Sequence, residues 1–135
     1  LAGWQRCKAD SVNARKDMAQ NVDRAVTREK ESFIEDILVV LDSFDMASSS
    51  TSWEEVNPEW RMGVTHIHNQ LLDVLAKHGV NRFGKEGEKY DHALHEAVQE
   101  IEDGQSESGL LVKVLRHGYK STERIIRPAH VIVRK

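Results

Sequence analysis

The sequence predicts an α+β fold in which two helical segments precede a small all-β domain, and three observations carry that expectation. Between Trp4 and Asn57 there is neither glycine nor proline, whereas six of the eight glycines fall from Gly79 to Gly118. Apolar residues recur at helical spacing in the first half, and short alternating segments bounded by glycines follow in the second. With 135 residues, 39% hydrophobic and 30% charged, the chain can build one modest core or two small ones, which excludes a large enzyme. The expected division is a long helix over 1–47, a Ser-rich connection over 48–57, a second helix over 58–79 and a compact β-domain over 80–135.

The long helix is justified by Val12, Ala19, Val26, Phe33 and Val40, which follow one another at an unbroken spacing of seven, the mark of one seam of a coiled coil. Its companion seam is poor: Arg15, Glu29 and Asp36 stand three residues after seam positions, and Ile37 and Phe44 four after. From Trp4 to Met46 such a helix would be about 65 Å long at ~1.5 Å per residue, more than this chain can cover alone, so it needs a partner. Phe33, Ile34, Ile37, Leu38, Val40, Leu41 and Phe44 cover a wide face, which places that end in a bundle.

Ala47 to Ser52 is a polar break, after which Asn57, Pro58 and Glu59 supply an N-cap, a first-turn proline and a first-turn acid. Trp60, Val64, Ile67, Leu71, Val74 and Leu75 keep the 3.6-residue period, and Lys77-His78-Gly79 supplies a cationic last turn with a glycine stop. Two such helices per chain are half of a four-helix bundle, which a homodimer completes.

Beyond Gly79 the expected strands are Val80 to Phe83, a segment around Leu111 to Leu115 and another over Ile125 to Val133, with turns at Gly84 to Gly87, at Gly104 to Gly109 and at Thr122-Glu123. Pro128 inside the last segment predicts an edge position or a bulge. Ser108 to Lys135 holds seven Lys or Arg against one acid, a local charge of about +6 in a chain whose formal net charge is −3, so an acidic partner surface is expected there.

Other chemistries find little support. The chain as a whole lacks the basic excess of a nucleic-acid coat. No apolar run approaches the ~20 residues of a membrane span and the start has no secretory pattern, so a soluble chain is expected. Cys7 is the single cysteine, which excludes an internal disulfide and a thiolate zinc cluster and fits a reducing compartment. His92 and His95, with Glu96 alongside, could share a helix face as metal ligands, but the spacing is not that of a zincin, and a capped turn with partly buried histidines is preferred. His66 and His68, two apart on a helix, are weaker still. Gly84-Lys85-Glu86-Gly87 is expected as a hairpin turn, since no helix start follows it and its acid would repel phosphate. No catalytic group, metal or other cofactor is expected, and no direct binding of nucleotide, nucleic acid or membrane.

In order and spacing, a set of sequence words resembles the GrpE family of nucleotide-exchange factors for DnaK-type 70-kilodalton heat-shock chaperones. They are Ala9-Asp10, Asn13 and Arg15-Lys16; Leu38-Val39-Val40-Leu41-Asp42-Ser43-Phe44-Asp45; Gly63; Leu75-Ala76-Lys77-His78-Gly79-Val80; Gly87-Glu88-Lys89-Tyr90-Asp91; His95-Glu96-Ala97-Val98; Gly118-Tyr119; and Arg124-Ile125-Ile126-Arg127-Pro128-Ala129-His130-Val131. The C-terminal words are the specific ones. His92 stands where the family usually has Pro, and His130 where Met is common.

The resemblance implies a homodimer with paired long helices, a four-helix bundle and a β-domain on each protomer, one of which docks on the chaperone's ATPase domain and wedges open the cleft that holds ADP. It implies that Arg124, Tyr90 and Val133 face the chaperone from the β-domain and Arg15 from the long helix, with Arg127-Pro128-Ala129 fixing the β-domain itself. The dimer is expected to rest on Ile37, Leu41, Phe44, Val64, Ile67, Leu71 and Val74, with Gly63 permitting close helix approach. Bacterial cytoplasm, or else an organelle matrix, is the expected compartment. The competing reading is a coiled-coil adaptor whose β-domain binds another acidic protein, which explains the helices equally well but not the C-terminal words.

Overall fold

The computed structural model describes residues 2–102 and 108–135, so the turn expected to begin at Gly104 lies outside the described residues. The chain forms two units, Leu1–Leu38 and Val39–Lys135. Helix α1 runs from Ala2 to Ser48. Every residue of it from Ala2 to Lys30 is exposed, the seam residues Val12, Ala19 and Val26 included, and Phe33 is 66% exposed. A helix held only by its own hydrogen bonds is marginal in water, because most helix stability in proteins comes from a packed apolar face.

In the second unit the serines do more than interrupt the helix. The hydroxyls of Ser48, Ser49 and Ser50 donate to the carbonyls of Phe44, Asp45 and Ala47 at 3.0, 3.0 and 2.8 Å, second bonds to carbonyls of the last turn, since Asp45 O and Ala47 O also accept from the Ser49 and Ser50 amides. A five-residue helix α2, Thr51–Glu55, follows where a plain connection was expected. Helix α3, Pro58–Lys77, begins as its sequence foretells: Asn57 Oδ1 accepts from the Glu59 amide at 2.9 Å and Pro58 fills the first turn. At its end the Gly79 amide donates to Ala76 O at 3.0 Å and the Val80 amide to Leu75 O at 2.9 Å. Gly79 takes φ +80°, and Leu75 and Val80 are both buried, the apolar contact that accompanies this glycine stop.

Among the described residues, six strands make two three-stranded sheets. In the first, β1 (Asn81–Phe83), β4 (Gly118–Lys120) and β5 (Ile125–Arg127) lie antiparallel in the order β1-β4-β5. In the second, with order β2-β6-β3, the central β6 (Ala129–Arg134) runs parallel to β2 (His95–Ile101) and antiparallel to β3 (Leu111–Arg116).

Three expectations change here. Gly84 to Gly87 is not a hairpin, because the neighbour of β1 is β4; the stretch makes a local turn, closed by the Glu88 amide on Lys85 O at 3.3 Å. Strand β2 was not foreseen. The segment Ile125 to Val133 is two strands in two sheets, and Pro128 sits between them rather than at an edge or bulge of one strand. Having no N–H, proline fits a junction where no ladder bond is needed.

The β-domain core gathers Leu111, Ala129, Val131 and Val133, with Phe83, Ala97 and Val114 packed against it. Full burial of a Val or Leu side chain contributes about 1.5–3 kcal/mol. Alternation along β6 puts Ala129, Val131 and Val133 inward and leaves His130, Ile132 and Arg134 half-buried on the other side. Val133, 6% exposed, is therefore a core residue and not a partner-facing one. Gly118 is required by packing: a methyl group there would meet the Phe83 ring and lie 2.8 Å from the Ala129 amide nitrogen.

Leu41 is corrected in the same way. It is 1% exposed within the protomer, so it has no surface to give to a second copy. Phe44 is half-buried and engaged as well, stacked on the His68 ring at 4.4 Å and edge-on to Trp53 at 6.4 Å. Ile37, Val64 and Leu71 are half-buried. Ile67 (63%) and Val74 (43%) are exposed, as is Trp60, and the three stand seven apart along α3.

Candidate functional site

Arg124 lies in the loop between β4 and β5, and the loop is built by its own hydrogen bonds. The Ser121 amide donates to Arg124 O at 2.7 Å, and Ser121 Oγ accepts from the Arg124 amide at 3.1 Å. This closed four-residue loop presents Arg124 at the surface, beside exposed Lys120. Tyr90 is 36% exposed; its amide donates to Gly109 O at 2.7 Å and its ring lies 6.0 Å from that of His95. Within the second unit, then, Arg124 belongs with the β1-β4-β5 sheet, while Tyr90 is held to the segment leading into β3. Arg15 is exposed on α1 in the first unit.

The sheet that carries the Arg124 loop also carries a cluster of charges gathered from residues far apart in the sequence. Asp42 and Asp45, three apart on α1, face the first sheet. Arg127 of β5 grips Asp42 with both terminal nitrogens, Nη1 on Oδ2 at 2.6 Å and Nη2 on Oδ1, and its Nε donates to His117 O at 3.1 Å. Arg82 of β1 pairs with Asp45. Between the two arginines lies Tyr119, 0% exposed, with the guanidinium of Arg82 5.7 Å and that of Arg127 5.1 Å from its ring centre. Burial pushes the Tyr119 hydroxyl pKa up, and that hydroxyl has no hydrogen-bond partner among the described residues.

Two histidines border the cluster. His68 Nε2 is 3.5 Å from Asp45 Oδ1, and burial, then the Arg82 charge, lower its pKa. The same two causes, burial first, lower that of His117. Arg127 thus does more than fix the β-domain: it ties that domain to the helix. One signal was available in the sequence, two acids at helical spacing inside the apolar run from Leu38 to Phe44.

The histidines weighed as metal ligands are set apart. His92 is exposed in a turn, whereas His95 opens β2, buried, with Nδ1 accepting from the Asp91 amide at 3.1 Å. They share no helix face, and among the described residues no group of three His, Cys, Asp or Glu is placed to hold a metal ion. His130, on the half-buried side of β6, has Nε2 at 3.1 Å from Glu96 Oε2 and 3.2 Å from Arg116 Nη2. No helix among the described residues is long and apolar enough to cross a membrane.

These features define a protein of surfaces: an exposed apolar seam on a long helix, a second stripe on α3, and a β-domain whose basic C-terminal segment presents a cation in a tight loop. A sequence model of the GrpE family matches residues 2–135. Among curated relatives named Protein GrpE, that of Nitratiruptor sp. is 33% identical over 98% of this chain and 77% of its own length. That of Hydrogenovibrio crunogenus is 35% identical over 95% of this chain and 69% of its own, and one from Bacillus cereus 32% over 95% and 68%. The chain belongs to the GrpE family. Membership supports its being a co-chaperone nucleotide-exchange factor for a DnaK-type chaperone, and the α+β fold agrees.

Proposed function

We propose that this protein works as a homodimer whose β-domain docks on the ATPase domain of a DnaK-type chaperone, holds its nucleotide cleft open and so speeds ADP release. The physical basis is linkage. A factor that binds the open state more tightly than the closed, ADP-bound state lowers ADP affinity by the same coupling factor, with no bond made or broken by the factor itself. The observation that carries this reading is the family match over residues 2–135, joined to a basic C-terminal segment that sets Arg124 at the surface.

Arg124 is the principal contact, a cation aimed at an acidic lobe, with Tyr90 adding half-exposed aromatic area and Arg15 a contact from the long helix. Val133 has no part in it. The dimer rests on the exposed stripe Trp60, Ile67 and Val74 of α3 and on the α1 seam, with Ile37, Val64 and Leu71 at the margins. Both placements extend what the family resemblance implies for these positions.

The test is release of a fluorescent ADP analogue from a DnaK-type chaperone over a range of factor concentrations. Acceleration that saturates, with no ATP hydrolysed by the factor alone, is the expected result; absence of both acceleration and binding to the ATPase domain returns the adaptor reading, and binding without acceleration overturns the exchange step. Arg124→Ala should weaken binding by about 1–2 kcal/mol and leave the β-domain folded. Unchanged affinity in a titration removes Arg124 from the contact.

A further inference from the structure

We propose that Arg82, Tyr119 and Arg127 are positioning residues that clamp the first sheet onto Asp42 and Asp45 of α1, so that the β-domain moves as one body with the end of α1 that lies in its own unit. The strand register carries the argument. Arg82 pairs with Tyr119 across β1 and β4, and Tyr119 with Arg127 across β4 and β5, so the three side chains form one row running across the whole sheet. Opposite that row the helix offers two carboxylates three residues apart, hence on one face. Each outer strand of the sheet grips one carboxylate, and the central strand fills the gap with a fully buried ring flanked by both cations.

Such an arrangement resists more than separation. Two ion pairs side by side oppose rotation of the sheet about the helix, as one pair could not. The bidentate grip of Arg127 on Asp42, with its Nε held by His117 O, adds a fixed plane. The Arg124 loop connects β4 to β5, the two strands that carry Tyr119 and Arg127, so what fixes the row also fixes the loop.

The role in exchange rests on the reading above. A domain that prises a cleft must resist the force it applies; one free to swivel can bind the lobe and follow it. Loosening the clamp therefore lowers the maximal acceleration of ADP release at saturating factor by at least about fivefold, the lower end of ordinary coupling between sites, while the half-saturating concentration shifts less than about twofold. Asp42→Asn and Arg127→Lys are the variants, the first chosen because it keeps the volume of the side chain and lies outside the β-core. Tyr119→Leu should behave like them, and Tyr119→Phe, which keeps the ring and loses a hydroxyl without a partner among the described residues, should restore parental behaviour.

A second readout needs no chaperone. In backbone nitrogen relaxation, the amides of the described strands should tumble at the rate of α3 and of α1 from Val39 on in the parent and faster in Asp42→Asn, with hydrogen-exchange protection of β6 retained. Tumbling unchanged in both Asp42→Asn and Arg127→Lys overturns the clamp. Faster tumbling with an undiminished exchange plateau overturns its part in exchange. If the parent itself does not accelerate ADP release, the exchange reading fails, and the clamp is still decided by the relaxation measurement.

Discussion

The two units of this chain are stabilised by different means. In the second, Tyr119, Ala129 and Val131 have no exposed surface and two sheets close over a shared core. In the first, residue after residue of α1 faces solvent, and the apolar side chains spaced by seven are among the exposed ones. The β-domain carries its stabilising contacts within itself; the long helix displays a pattern suited to packing against a second helix. On the proposed dimer, a single chain joins a helix whose order depends on concentration to a β-domain whose order does not.

The harshest break of this contrast is to remove the proposed partner. Ile67→Glu with Val74→Glu should dissociate the dimer, at a cost on the order of 3–6 kcal/mol for two apolar side chains no longer buried. Sedimentation should report monomer mass, and far-UV helix signal should fall while hydrogen exchange of β6 stays slow. A persisting dimer mass would remove α3 from the interface. Gly118→Ala makes the reverse break: with the Phe83 ring and the Ala129 amide in the way, overpacking should cost the β-domain about 1–3 kcal/mol, seen as a lower denaturant midpoint for Tyr119 near-UV signal. A matching loss in helix signal would show that the units melt together.

Heating the parent sharpens the comparison without altering a residue. The helix signal should decline some degrees before the Tyr119 signal does, and earlier still on dilution. Coincident transitions at every concentration would contradict it.

The smallest effect is expected with pH. His68 and His117 have folded pKa values lowered from 6.5, chiefly by burial and next by Arg82, so between those lowered values and 6.5 the unfolded chain binds more protons than the folded one. Their contribution to stability is whole above 6.5 and is lost as pH falls through the lowered values. The melting temperature of the second unit should drop as pH goes from 7 to 5, and His68→Gln should flatten part of that slope; an equal slope in the variant would clear His68 of any share.

Local signals foretell local structure. Asn57-Pro58 and Gly79 bound α3 because a cap and a left-handed stop act within a few residues. Strand β2 escaped notice since His95 to Ile101 carries no alternation: only His95 is buried, and the register shifts between Ala97 and Gln99. The phase of β6 was equally hidden. Whether Val133 looks in or out depends on where the strand begins, and that is set by Pro128 ending one sheet and releasing the chain into the next. Along α1 the bundle end has more than one apolar face, and periodicity alone does not say that Leu41 serves its own protomer while Val40, 62% exposed, is left outside. As for the site, family words alone point to Arg124, whereas the carboxylates that its sheet grips become visible only when β1 is brought beside β4 and β5 into one row.

Pro128 has a consequence of its own. It is a single residue between Arg127, whose hand is on the helix, and Ala129, first of the inward-facing residues of β6. Spelling is therefore shared by the two sheets across this point: one extra residue inserted there would turn Val131 and Val133 out to water or pull Arg127 off Asp42, because a shift by one position in a strand exchanges its faces. The chain can tolerate new letters at Thr122 and Glu123 or around Lys85 far better than any change of count at 128, where a one-residue error is read twice.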